Sequence, residues 1–270
     1  MNDMILLKDI AYGTHERQTV DIFLPEIPCS DSGIIFYVHG GGWTMGDKTV
    51  HHPDAEHFCN LGYICASMNY RYIDKETNIF DELDDITSAL KTVKITLAEH
   101  GFNVEKMIIS GGSAGGHLSL MYAYTRMNEA PIKPVASCVY CPAVDCSKTD
   151  FLMGISGEFE DWKNGILSFA AGVNINKENF SDETRQTALK KISPVTYVSE
   201  NCVPTAVFQG KLDDLVPNEH IKNFIDILDE YGIKNDLLIY ENSGHALDKN
   251  PEKVLQAKEI IRKYSEMYFK

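Results

Sequence analysis

Residues 111–116 read G-G-S-A-G-G, one serine among glycines and an alanine, between an apolar run at 106–110 and the helical pattern of 117–124. Three chemistries use glycine-rich turns of this kind. A phosphate-binding P-loop needs Lys followed by Ser or Thr after its second glycine, and His117 and Leu118 stand there instead. A dinucleotide fingerprint needs glycines at offsets 0, 2 and 5; neither this stretch nor H-G-G-G-W-T-M-G at 39–46 supplies them. The pattern that remains is G-x-S-x-G, Gly111-Gly112-Ser113-Ala114-Gly115, on a strand-to-helix turn. In such a turn the residues two before and two after the serine must be small enough to pass each other, and the hydroxyl of Ser113 is left exposed.

A serine hydroxyl attacks a carbonyl only when a base takes its proton, an acid orients that base, and donors receive the oxyanion. The segment V-H-G-G-G-W at 38–43 follows an apolar run, and its glycines let main-chain N–H groups turn toward one point. Gly41 and Gly42, with Ala114 after the serine, are the expected oxyanion donors. The acid comes from F-Q-G-K-L-D-D-L-V-P at 208–217, where Asp213 is favoured and Asp214 is read as a charge ahead of a helix. Of nine histidines only His220 and His245 follow the acid. His220 sits in an amphipathic pattern on its expected solvent face, which leaves His245, in N-S-G-H-A, as the base. His117 is expected to pack or hydrogen-bond beneath the turn. Trp43, beside the glycines, and Trp162, further on, are candidates for lining a substrate pocket.

The elements that must carry these residues follow from hydropathy period. Apolar runs at 19–24, 33–38, 63–70, 106–110, 134–140, 204–209 and 236–240 read as strands, several buried on both faces. Between them, Ile79, Leu83, Ile86, Leu90, Val93 and Leu97 form one stripe of a long helix behind an acidic first turn. Val254, Ala257, Ile261, Tyr264 and Tyr268 do the same at the end of the chain. Pro217 and Gly232 bracket a third helix with Ile221, Phe224, Ile225 and Leu228 facing inward. Alternating strands and helices give an α/β class with a mainly parallel sheet covered on both faces, in a single domain. Residues 146–192 break this rhythm with scattered aromatics and read as a cap-like insertion.

The 270 residues carry 39 acidic against 25 basic side chains, a net charge of −14, so the field repels phosphate backbones and anionic lipid; nucleic acid is not an expected partner. No apolar run approaches the roughly 20 residues that span a bilayer, and the first residues lack a basic region and cleavage site, so a cytoplasmic protein without membrane insertion is expected. Seven cysteines fit reduced thiols. Cys138 and Cys141, three apart on one strand, point to opposite faces and make no joint metal site. No metal or organic cofactor is expected, and oligomeric state is not legible.

The order Ser, Asp, His is that of α/β-hydrolases. Through H-G-G-G-W at 39–43, G-G-S-A-G-G at 111–116, G-x-x-D-x-x-V-P at 210–217, G-H-A at 244–246 and M-N-Y-R-Y at 68–72, the chain resembles that superfamily, and within it the hormone-sensitive-lipase-like and acetyl or feruloyl esterase-like branch. The resemblance implies an eight-stranded sheet and a serine carboxylesterase acting on a small-molecule ester, with Ser113, Asp213 and His245 as its triad. Gly112 stands where lipase-like relatives carry aspartate, which moves the expectation toward small esterases, including acetyl or feruloyl esters of sugars, and toward kynurenine-formamidase-like enzymes. A non-catalytic ligand-binding homologue is the alternative of another class.

Overall fold

A computed structural model describes residues 4–29, 33–148, 150–152, 160–173 and 183–270, the side chains of residues 160–162 excepted. Eight strands form one sheet in the order β1-β2-β4-β3-β5-β6-β7-β8. They are β1 Ile5–Ala11, β2 Thr19–Leu24, β3 Gly33–Val38, β4 Ile64–Met68, β5 Lys106–Gly112, β6 Lys133–Tyr140, β7 Thr205–Gly210 and β8 Asn235–Tyr240. β2 runs against both of its neighbours, and every pairing from β4 through β3 to β8 is parallel. The carboxyl ends of β3, β5, β7 and β8 therefore share one edge of the sheet, which is where the glycine segment, Ser113, Asp213 and His245 follow in sequence.

Side chains alternate along each strand, so one β3 feeds two cores. Ile34, Phe36 and Val38 face a large cluster with α2 (Ile79–Glu99), α3 (Ala114–Thr125) and α6 (Asn218–Glu230), while Ile35 and Tyr37 face α1 (His52–Asn60) and α7 (Pro251–Tyr268). The stripe Ile79, Leu83, Ile86, Leu90, Val93, Leu97 is wholly buried on α2, as its spacing requires. That helix begins at a capping box: Phe80 N–H donates to Asn78 Oδ1 at 2.8 Å and Asn78 N–H to Asp81 Oδ2 at 2.9 Å. Truncating a stripe residue, Leu90→Ala for example, would cost about 2–5 kcal/mol.

Three sequence expectations change. β1 was not anticipated, because its residues are mostly exposed or half-buried and lack the continuous apolar run that marks the interior strands. His220 does not face solvent: it is 6% exposed, and its Nε2 lies 2.8 Å from Asp150 of the 146–192 segment, a partner that helical period cannot reveal. Val254 is half-exposed, and Ala257, Ile261 and Tyr264 alone carry the buried stripe of α7.

Within 146–192 the described residues include α4 (Glu160–Ala171) and α5 (Glu183–Lys191). Phe151, Ile166, Leu167, Ala170, Leu189 and Ile192 are buried in the same cluster as α2 and α3. Phe159, Phe180 and the side chain of Trp162 lie outside the described residues.

Candidate active site

β5 ends at Gly112 and α3 begins at Ala114, so one residue must reverse the chain. That residue is Ser113, at φ 53° and ψ −119°. A non-glycine residue there carries strain of roughly 1–3 kcal/mol, held by the surrounding structure. Here the holders are Ser113 N–H to Tyr140 O at 2.8 Å and His117 N–H to Ser113 O at 2.9 Å. The close approach expected of the flanking glycines is present: a Cβ on Gly111 would sit 2.6 Å from the Gly115 carbonyl carbon, and one on Gly115 would sit 2.0 Å from Val38 O. Gly112 is different. A Cβ there meets nothing nearer than Tyr140 at 3.8 Å, so the backbone does not require glycine.

The hydroxyl of Ser113 lies 2.8 Å from His245 Nε2, and His245 Nδ1 lies 2.8 Å from Asp213 Oδ2. A carboxylate only accepts, so Nδ1 carries the proton and Nε2 is free to accept from the serine. Asp213 has no exposed side-chain surface. Its Oδ1 accepts from the amides of Leu215 and Val216 at 3.0 and 2.9 Å, and its Oδ2 also accepts from Gln209 Nε2 at 3.1 Å. Burial pushes this carboxyl up, but His245 and the two amides outweigh it and hold the group below its ordinary range, so it stays ionised. Asp214 is exposed. Gln209, a polar side chain at the end of the apolar run of β7, is a partner that the sequence signalled only by being out of place.

Trp43 and His117 support the turn from below. Trp43 is 3% exposed and donates its indole N–H to His117 Nδ1 at 3.2 Å; His117, fully buried, donates from Nε2 to Ile192 O at 2.6 Å. Desolvation lowers the ring's pKa to about 4, so it remains neutral in this role. The glycine segment is itself left-handed at Gly41 and Gly42, with φ of 121° and 58°. Among the described residues, the N–H groups of Gly41, Gly42 and Ala114 have no acceptor.

Two cavities meet at Ser113 and His245. One of about 300 Å³ is apolar, walled by Trp43, Ala143, Phe151, Leu152, Ile166 and Val216, and also touches Gly41, Gly42 and Ala114. The other, of about 390 Å³, is mixed: His51, Asp54, Tyr240 and Lys258 line it beside Gly112 together with Val50, Leu247 and Val254, and Lys258 Nζ pairs with Asp54 Oδ1 at 2.9 Å. Neither His51 nor the pair was singled out by the sequence. Cys138 and Cys141 are both buried thiols, and no disulfide joins the cysteines. Cys141 does approach Asp213 and His245, the three ligand-type atoms lying within 4.8 Å of each other, but two of them are already joined by the His–Asp hydrogen bond.

An eight-stranded sheet of this order, with a strained serine turn after its fifth strand and the acid and histidine loops on the same edge, is an α/β-hydrolase fold. The chain belongs to the BD-FAE family, whose model matches residues 20–228. Among curated proteins it is similar to a probable carboxylic ester hydrolase, LipM, of Mycobacterium tuberculosis, at 29% identity over 82% of this chain and 51% of that one. The chain spans about half the length of the curated relatives it matches. Among solved structures, esterase B from Lactobacillus rhamnosis superposes with a TM-score of 0.76 at 18% identity, over 98% of this chain and 87% of that one. A propionate-bound esterase, Est2, from Thermogutta terrifontis superposes with a TM-score of 0.72 at 21% identity, over 96% and 93%. Among the described residues no helix is long and apolar enough to cross a membrane.

Proposed function

We propose that this protein is a serine carboxylesterase acting on esters of short acyl groups. The observation that carries the reading is the unbroken hydrogen-bonded chain from Ser113 through His245 to Asp213, set on a strained turn between two cavities. Ser113 attacks the ester carbonyl as His245 Nε2 takes its proton, and Asp213 holds the ring in that tautomer and stabilises the imidazolium. The N–H groups of Gly41, Gly42 and Ala114 receive the oxyanion. The imidazolium then protonates the departing alcohol, an acyl-enzyme remains on Ser113, and water repeats the attack with His245 again as base.

The acyl chain enters the apolar cavity, whose walls offer it little but hydrocarbon and aromatic surface. The alcohol departs through the mixed cavity, where Asp54, Lys258 and His51 supply donors and acceptors suited to hydroxylated groups, sugars included. Phe151, Leu152 and Ile166, described residues of the 146–192 insertion, close the apolar side. A probable carboxylic ester hydrolase among the relatives and a propionate-bound esterase among the structural neighbours agree with this reading.

The test is a series of aryl esters from acetate to decanoate, run beside N-formylkynurenine and acetylated and feruloylated sugars, with fluorophosphonate labelling of Ser113. The expected outcome is labelling, with turnover favouring short acyl esters. Selective cleavage of the formamide would move the activity to amide bonds, and an unlabelled, inactive protein would move it to ligand binding.

A further inference from the structure

Building on the reading of Gly41 and Gly42 as oxyanion donors, we propose that Arg17, in the hairpin between β1 and β2, is a positioning residue that locks the glycine segment 40–46 in its donor-presenting shape. Arg17 lines neither cavity. Its guanidinium instead reaches both ends of the segment. Nη2 donates to Gly46 O at 3.2 Å and to His39 Nε2 at 3.1 Å, and Nε donates to Tyr70 O at 2.9 Å. Because a guanidinium only donates, His39 Nε2 must accept, which leaves the proton on Nδ1 to donate to Gly40 O at 2.8 Å. One cation thus fixes one carbonyl directly and the other through a ring whose tautomer it selects.

The surroundings brace this clamp. The guanidinium carbon stands 3.7 Å from the centre of the Tyr72 ring, and the Tyr72 hydroxyl donates to the same Gly46 O at 2.6 Å. His39 stacks on Tyr70 with ring centres 4.2 Å apart, and the Tyr70 hydroxyl returns to His39 O at 2.8 Å. The segment needs holding, since Gly41, Gly42, Trp43 and Gly46 all have positive φ, and for Trp43, at 62°, that conformation is strained. Its two ends touch: a Cβ on Gly46 would lie 2.3 Å from Gly40 O. Fixing the carbonyls of Gly40 and Gly46 therefore fixes the aim of the N–H groups between them.

Donors that are misaimed lose their grip on the transition state more than on the bound ester, so the loss belongs in kcat rather than KM. Arg17→Met keeps the aliphatic stem and removes the charge and all three donors; on a short-chain aryl ester its kcat should fall about 10- to 100-fold while KM stays within about 3-fold. Arg17→Lys should recover part of the loss. Tyr72→Phe should lower kcat less, and should cost less again in the Arg17→Met background, because both donors act on one carbonyl. A folded Arg17→Met protein with wild-type kcat, or with its loss confined to KM, overturns the proposal. If Arg17→Met does not fold, unchanged kcat in both Arg17→Lys and Tyr72→Phe overturns it equally. Ser113→Ala run alongside separates the two levels: activity that survives it sinks the esterase reading itself, whereas activity lost there but intact in the Arg17 and Tyr72 variants sinks the clamp alone.

Discussion

At the scale of single residues, the turn at Ser113 distinguishes three glycines that look alike in sequence. Gly111 and Gly115 are packed against backbone that cannot yield, and Gly112 faces open space beside Tyr140. Gly111→Ala should therefore cost on the order of 3 kcal/mol or more of stability, measured by urea unfolding, while Gly112→Ala leaves it nearly unchanged. Equal losses in the two would contradict the geometry. Asp213→Asn is the complementary test of charge. The amide should keep its place near Leu215 and Val216 but impose the wrong tautomer on His245, and kcat should fall by about 10⁴-fold. The sequence already set Asp213 above Asp214; what it could not supply was the reason, four donors converging on one buried carboxylate.

At the scale of elements, most boundaries were legible because interior strands are continuous apolar runs and α2 and α6 carry clean helical stripes. β2 and β3 match their expected runs residue for residue. β1 was hidden by its exposure, and the antiparallel setting of β2 leaves no mark in composition. Helix α2 also holds a feature the stripe conceals: Glu82 is fully buried and neither of its carboxyl oxygens has a partner among the described residues. Burial, with Asp85 nearby, raises its pKa well above the ordinary carboxylate value, so it is folded as the neutral acid. The unfolded chain ionises Glu82 above about pH 4.5, releasing a proton that the folded state retains, so this group's contribution to stability falls as pH rises from there toward its folded pKa. Glu82→Gln should consequently stabilise the protein at pH 8, with the gain shrinking toward pH 4.5, when unfolding is followed at both. A gain that does not depend on pH would show that Glu82 is ionised in the fold.

At the scale of the whole molecule, the sheet gathers loops from four strands onto one edge, and residues far apart in sequence come into hydrogen-bond reach; His245 and Ser113 are separated by 132 positions. Sequence order conveyed that convergence through the family resemblance, but the division of the surrounding space into an apolar cavity and one of mixed character depends on Phe151, Ile166, Asp54 and Lys258, which no local motif links. Trp43 sits at the hinge of this arrangement, forming part of the apolar wall while bonded to His117. Trp43→Ala should enlarge that wall and shift preference toward longer acyl chains, read as a rise in the ratio of kcat/KM for octanoate over acetate aryl esters; an unchanged ratio would place the acyl group elsewhere.

The most direct measurement of the central claim is the hydrolysis of a short-chain aryl ester by purified wild-type and Ser113→Ala protein, each shown to be folded. Loss of the nucleophile should lower kcat by about 10⁵- to 10⁶-fold. Hydrolysis by Ser113→Ala at a rate near that of the wild type would contradict the account.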